Sequence, residues 1–215
     1  MQNEETSAPS RDSAPLSEAP PSVRKRPKPG ERRVQILQTL AAMLERPGAE
    51  RVTTAALAAQ LDVSEAALYR HFASKAQMFE GLIDFIEQSV FTLVNQIAER
   101  DGAGRERAAR IVTMVVQFAE KNPGMTRVMV GDALVYENER LQSRMNQFFD
   151  KIEATLRQVL RDVTVADGSA TPTVDAQVRA GALTAFVVGR LQRFVRSGFR
   201  RLPSEHLDAA VQLML

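Results

Sequence analysis

An all-α fold is predicted, three short helices followed by a bundle of longer ones. Three observations predict it. Apolar residues recur at three- and four-residue steps from Glu31 onward. No run alternates with period two for long enough to build a sheet, and no internal repeat is visible. Clusters of Gly, Pro, Asp and Ser interrupt the pattern at helix-length intervals.

Residues 1–30 precede the pattern and hold six of the ten prolines, with Ser, Ala and Glu between them. Such a stretch buries too little apolar area to offset chain entropy and is read as disordered. Its start, Met1–Ser10, has Glu4 and Glu5 and no apolar core, so a secretory signal is not expected. Its end is basic: Arg24, Lys25, Arg26 and Lys28 continue into Arg32 and Arg33, opposed by Glu31 alone. This suits a phosphate backbone or an anionic membrane surface, and on charge alone a solubilising tail explains it equally well.

The first helix carries Val34, Leu37, Leu40, Ala41 and Leu44 and stops at Pro47-Gly48. Thr53 or Thr54 caps a second, running through Leu61. Asp62-Val63-Ser64 is a turn, and Ser64 caps a third over Glu65–His71. The fourth begins near Ser74, places Met78, Leu82, Phe85, Ser89, Leu93 and Ile97 on one stripe, and ends at Asp101-Gly102-Ala103-Gly104. Arg105–Glu120 is amphipathic and halts at Asn122-Pro123-Gly124, and a short helix covers Met125–Gly131. Glu137–Arg161 turns Leu141, Met145, Phe148, Phe149, Ile152, Leu156 and Leu160 inward. A polar loop at Ala166–Thr173 leads to helices over Asp175–Ser197 and Ser204–Leu215.

Composition narrows the function. Hydrophobic residues at 44% and charged residues at 25% fit a globular chain with a sizeable core. Absence of Cys excludes disulfides, thiolate metal sites and a cysteine nucleophile. With two His, no Gly-rich phosphate loop after a strand, and no acidic cluster at ligand spacing, no catalytic residue, metal ligand or cofactor is assigned. His206 reads as a surface residue. Apolar stretches break well short of a membrane span. The expectation is a cytoplasmic protein that is not an enzyme.

Residues 51–75 carry the chemistry. Leu57, Ala58, Leu61, Val63 and Leu68 are the apolar contacts of two helices crossing closely, and Ala58 and Ala59 are small enough to allow it. The second of the pair exposes Glu65, Ala66, Ala67, Tyr69, Arg70 and His71. A helix of this size enters the major groove of DNA with its N-terminal half against base edges. Ala66 and Ala67 permit close approach and contact with thymine methyls. Tyr69 and His71 can donate to phosphates, and Arg70 can read guanine or clamp a phosphate. Thr53, Thr54 and Ser64 stand at helix starts, where hydroxyls and free N–H groups bind phosphate, and Lys75 can reach the same backbone. The expected organisation is a tail (1–30), a helix-turn-helix DNA-binding domain (31–75) and a helical body (76–215).

Val52-Thr53-Thr54, Leu57-Ala58, Val63-Ser64, Leu68-Tyr69-Arg70-His71-Phe72 and Ser74-Lys75 resemble the DNA-binding signature of the TetR family. The family usually has Gly in the turn, and Asp62 stands there. The resemblance implies a dimer, with the last two helices forming a four-helix interface. Ala180, Gly181, Ala185 and Gly189 would allow close packing there, and Leu183, Phe186 and Leu191 would supply bulk. The arginines Arg190, Arg193, Arg196, Arg200 and Arg201 then complement the helix C-terminus.

Further segments, Asn122–Arg127, Arg140–Arg144, Ile152–Arg161 and Arg193–Ser197, are similar to the nucleoid occlusion branch of that family. DNA-bound dimers of that branch engage the division GTPase FtsZ and block the Z ring over the chromosome. The resemblance carries the FtsZ surface onto Phe85 and Asn122, which match identically, and Lys121, which keeps a positive charge. Leu93 falls where a basic residue is usual. Partners implied are double-stranded DNA, a second copy, further dimers on DNA, and FtsZ, on the nucleoid. The alternative is a ligand-responsive repressor with Met114, Phe118, Met125 and Met129 around an inducer; those side chains serve equally as core, and the resemblance disfavours an inducer.

Overall fold

The computed structural model describes residues 30–46, 51–100 and 102–215. The tail expected to be disordered, its Arg24–Lys28 arm and the Pro47-Gly48 stop lie outside the described residues. Every regular element among the described residues is helical: α1 (Glu31–Leu44), α2 (Thr54–Gln60), α3 (Glu65–Tyr69), α4 (Lys75–Ala98), α5 (Gly104–Lys121), α6 (Pro123–Met129), a 3₁₀ turn (Asp132–Leu134), α7 (Glu139–Ala166), α8 (Pro172–Arg196) and α9 (Leu207–Met214). None of these is long and apolar enough to cross a membrane.

Hydroxyls set three of the early helix starts. Thr53 Oγ1 accepts from the Ala56 N–H at 3.1 Å, Ser64 Oγ from Ala67 at 3.2 Å and Ser74 Oγ from Gln77 at 3.2 Å. Each satisfies a donor that the first helical turn leaves without an internal partner. Between α2 and α3, Asp62 adopts φ 55°. That left-handed backbone is why Gly is usual at such a turn and why Asp can replace it.

Several boundaries differ from the sequence reading. Helix α7 continues past Arg161 to Ala166, because Val163 and Thr164 are buried and Thr164 Oγ1 donates to carbonyls of Arg161 and Pro172. Prolines at the first helical position start α6 and α8 earlier than expected. Helix α9 starts later, at Leu207, because His206 is left-handed (φ 52°) and the preceding backbone is engaged elsewhere. There Ser204 N–H donates to Glu120 at 3.1 Å, and Arg190 donates to carbonyls of Pro203 and Glu205 at 2.8 and 2.6 Å.

Two apolar stripes require correction. In α4 the core side is Met78, Phe79, Leu82, Ile83, Ile86, Val90 and Val94, whereas Phe85 is 49% and Leu93 43% exposed. Apolar residues line both sides of this helix, and periodicity cannot say which side is inward. In α8, Ala176, Ala180, Leu183, Val187 and Leu191 face the chain's own core, so Ala180 does not share the outer face. The outward line is Val174, Val178, Ala182, Ala185 and Gly189, half a turn away, with Leu213 of α9 90% exposed. Met129 is buried, and Met114, Phe118 and Met125 pack half-buried against the same core.

The N-terminal helices are tied to the body at two places. Helices α4 and α7 run side by side in parallel. Lys75 pairs with Glu137, Glu80 with Arg140 at 2.6 Å, and Asp84 and Glu87 with Arg144 at 2.5 and 2.6 Å. Phe91 meets Phe148 edge-on, centroids 5.2 Å apart. Helix α6 lies on α1, where Arg127 donates to Leu44 O at 3.2 Å and Gly124 approaches the Ala41 backbone. A Cβ on Gly124 would fall 2.1 Å from Ala41 O. Gly124→Ala is therefore expected to cost about 1–3 kcal/mol through forced separation of α1 and α6, read as a lowered melting temperature.

At the other end Asp167, the C-terminal cap of α7, accepts from Arg105 of α5 at 2.9 and 2.7 Å and from Arg179 of α8 at 3.2 Å. Arg179 also donates to Leu215 O at 3.3 Å. The Arg105 hydrogen bonds, then that of Arg179, hold the Asp167 carboxyl below its usual range. Its folded value lies below its unfolded value, so the contribution is complete above about pH 4 and disappears as pH falls through the folded value. Asp167→Asn should lower the melting temperature near neutrality and lose that difference from the parent chain in acid.

Candidate nucleic-acid interface

The interface is built by what α2 and α3 hide from each other. Leu57, Ala58 and Leu68 are buried at their crossing, and Leu61 and Val63 are partly buried against it. This leaves Thr53, Ser64, Glu65, Ala66, Tyr69 and Arg70 exposed, and Thr54, Ala67, His71 and Lys75 half-buried. The residues assigned to DNA from the sequence thus all keep some exposure on or beside the α2–α3 pair. The caps use the oxygens of Thr53 and Ser64 as acceptors; their hydrogens remain available to donate outward. Alanines at two consecutive positions of α3 leave room for a groove wall.

Five contacts in this region were not legible in the sequence. Thr54 Oγ1 donates to Glu65 Oε2 at 2.5 Å, joining the first residue of α2 to the first of α3. Arg33 donates to His71 O, and its guanidinium lies 4.1 Å from the Phe72 ring centroid. Arg33 is thereby drawn onto its own domain, with a cation–π contact over a buried ring. Lys75 opens α4 as expected, but its ammonium lies on Glu137 and 5.6 Å from the Phe79 centroid. The physical reason is that the Glu137 side chain is only 9% exposed and requires a counter-charge there. Among the described residues no group of His, Asp and Glu could hold a metal ion.

Residues 36–82 match the tetR family of bacterial regulatory proteins, and residues 105–215 match the SlmA-like tetracyclin repressor-like C-terminal domain. Over 184 residues the chain is 52% identical to the nucleoid occlusion factor SlmA of Photobacterium profundum, covering 85% of this chain and 93% of that one. The chain belongs to the SlmA family of TetR-type DNA-binding regulators. A second SlmA, from Vibrio cholerae serotype O1, is 51% identical over 178 residues, 82% of this chain and 90% of the relative. In fold the SlmA-type chain is similar to a transcriptional regulator from Rhodococcus sp. Rha1 (TM-score 0.67, 21% identity, 85% and 92% of the two chains). It is also similar to FadR from Bacillus subtilis, solved with stearoyl-CoA (TM-score 0.66, 12% identity, 84% and 96%).

The exposed groups of this SlmA-family interface separate into neutral and charged donors. Tyr69→Phe removes a neutral donor and should weaken binding to all DNA sequences alike by about 1 kcal/mol, with no change in salt dependence. Arg70→Ala should flatten the slope of log K against log salt by about 0.9 for each phosphate that is no longer neutralised. Fluorescence anisotropy across a salt series measures both, and an altered sequence preference for the Arg70 variant would instead assign it to guanine.

Proposed function

We propose that the chain is a nucleoid occlusion factor whose DNA-bound dimers engage FtsZ and block Z-ring assembly over the chromosome. It acts by binding rather than catalysis, in the cytoplasm on the nucleoid. Relatives that carry that name match nearly all of their own length. The observation that supports a partner surface is Phe85, an aromatic ring 49% exposed on the outer side of α4. Helix α5 starts beside the end of α4, where Arg107 donates to Ala98 O at 2.8 Å, and ends where α6 lies on α1. Its last residue, the exposed Lys121, and its half-buried C-cap Asn122 thus return toward the DNA-binding end. An exposed aromatic, a cation and a polar helix end together have the composition of an interface anchor.

The dimer contact on this reading is the outward apolar line of α8, Val174, Val178, Ala182 and Ala185, with Leu213 of α9. The rival inducer-responsive reading needs a space among Met114, Phe118, Met125 and Met129, of which Met129 is buried in the body's core and the other three lie half-buried against it.

Stability and partner binding should separate. A core Phe→Ala costs about 3–5 kcal/mol; Phe85→Ala should cost clearly less, retain DNA binding and lose FtsZ co-sedimentation. Asn122 Nδ2 donates to Phe118 O at 2.7 Å, so Asn122→Ser should also lose about 1 kcal/mol of stability. Lys121→Glu, at an exposed site, should weaken FtsZ binding without altering the melt. FtsZ binding that survives all three would remove this surface from the partner site.

A further inference from the structure

The outer face of α3 presents Glu65, Ala66, Tyr69 and Arg70. Glu65 is the anomaly. A carboxylate on a surface that meets a polyanion is repelled by every phosphate, so its presence weakens binding that ignores sequence. Capping does not explain it, because Ser64 caps α3 through the Ala67 N–H. Nor is it a loose side chain. Thr54 Oγ1 donates to its Oε2 at 2.5 Å from a position eleven residues earlier, across a turn fixed by the left-handed Asp62. One carboxylate oxygen is held by the protein, and the other keeps its lone pairs for a further donor.

Building on the reading of this unit as a DNA reader, we propose that Glu65 selects a cytosine in each half-site through its N4 amino group, with Thr54 as the positioning residue. The major groove offers a carboxylate few suitable partners. Guanine presents two acceptors and thymine an acceptor with a methyl group, and adenine's amino donor lies beside the N7 acceptor. Cytosine alone presents an amino donor with no adjacent acceptor on the same base. The neighbouring Ala66 and Ala67 leave the helix free to come close enough for a Glu side chain to reach the base edge. Specificity at this position then comes from repulsion of the wrong bases as much as from attraction to the right one.

The test is selection of bound sequences from a randomised duplex pool by the full chain, with wild type, E65A, E65Q, T54V and T54S compared. Circular dichroism and melting establish that each variant is folded. Wild type should show a symmetric pair of cytosine positions. E65A should lose discrimination there by about tenfold or more while binding mixed-sequence DNA more tightly. E65Q should move the preference toward adenine, whose N6 and N7 suit an amide. T54V should weaken the cytosine preference and T54S restore it, a rescue that a merely structural threonine would not give at one base position. If E65A and E65Q select the wild-type sequence and change affinity uniformly, Glu65 does not read a base, while the DNA-binding reading stands. A wild-type chain that selects no sequence at all overturns both.

Discussion

Down one side of α4 the carboxylates of Glu80, Asp84 and Glu87 meet Arg140 and Arg144 of α7, with the Lys75–Glu137 pair at the top and Phe91 against Phe148 further along. Taken singly, exposed pairs of this kind contribute little. Arranged along two parallel helices they fix the sliding register of one against the other, since displacement by a turn would set Arg144 against the wrong neighbours. Helix α4 starts where the α2–α3 unit ends and runs along the body to the start of α5, so its register determines where α3 points. The contact of α6 on α1 closes the same unit from behind, through a backbone approach that only Gly124 allows.

This arrangement divides the surface of the chain. One side of α4 is occupied by α7, and the inner side by the core. The outer side carries Phe85 and Leu93, each about half exposed. Helix α3 and the half-exposed aromatic are thereby tied to the same helix α4 yet face different surroundings. At the far end, Asp167 gathers α5, α7 and α8 through two arginines, closing the bundle away from both surfaces.

The helix-turn-helix was legible because local chemistry writes it: hydroxyls at helix starts, a small residue at the crossing (Ala58, whereas the expected Ala59 is exposed), and a turn residue that tolerates positive φ. The all-helical body was legible from apolar period alone. Periodicity failed where a helix is apolar on two sides. It grouped Phe85 with Met78 and Leu82, and Ala180 with Gly189, although each pair falls on different faces. Contacts spanning long sequence separations were invisible. Nothing near Lys75 announces Glu137, sixty-two residues on, and nothing near Thr54 announces that its hydroxyl orients Glu65 rather than standing free for phosphate.

The half-covered ring of Phe85 also limits how strongly one molecule can hold a partner. Its exposure leaves roughly 100 Å² of apolar surface, about 2.5 kcal/mol if wholly covered. Even with a few polar contacts beside it, a single such patch gives an affinity nearer millimolar than nanomolar, since 1 mM already corresponds to about 4 kcal/mol. Tight engagement then requires several patches acting together. A polymeric partner facing neighbouring protein molecules held along one duplex meets that condition, because each later contact forms at high effective concentration. On the proposed reading, the chromosome acts as the scaffold that converts a weak surface into avidity, and the same protein away from DNA releases its partner readily.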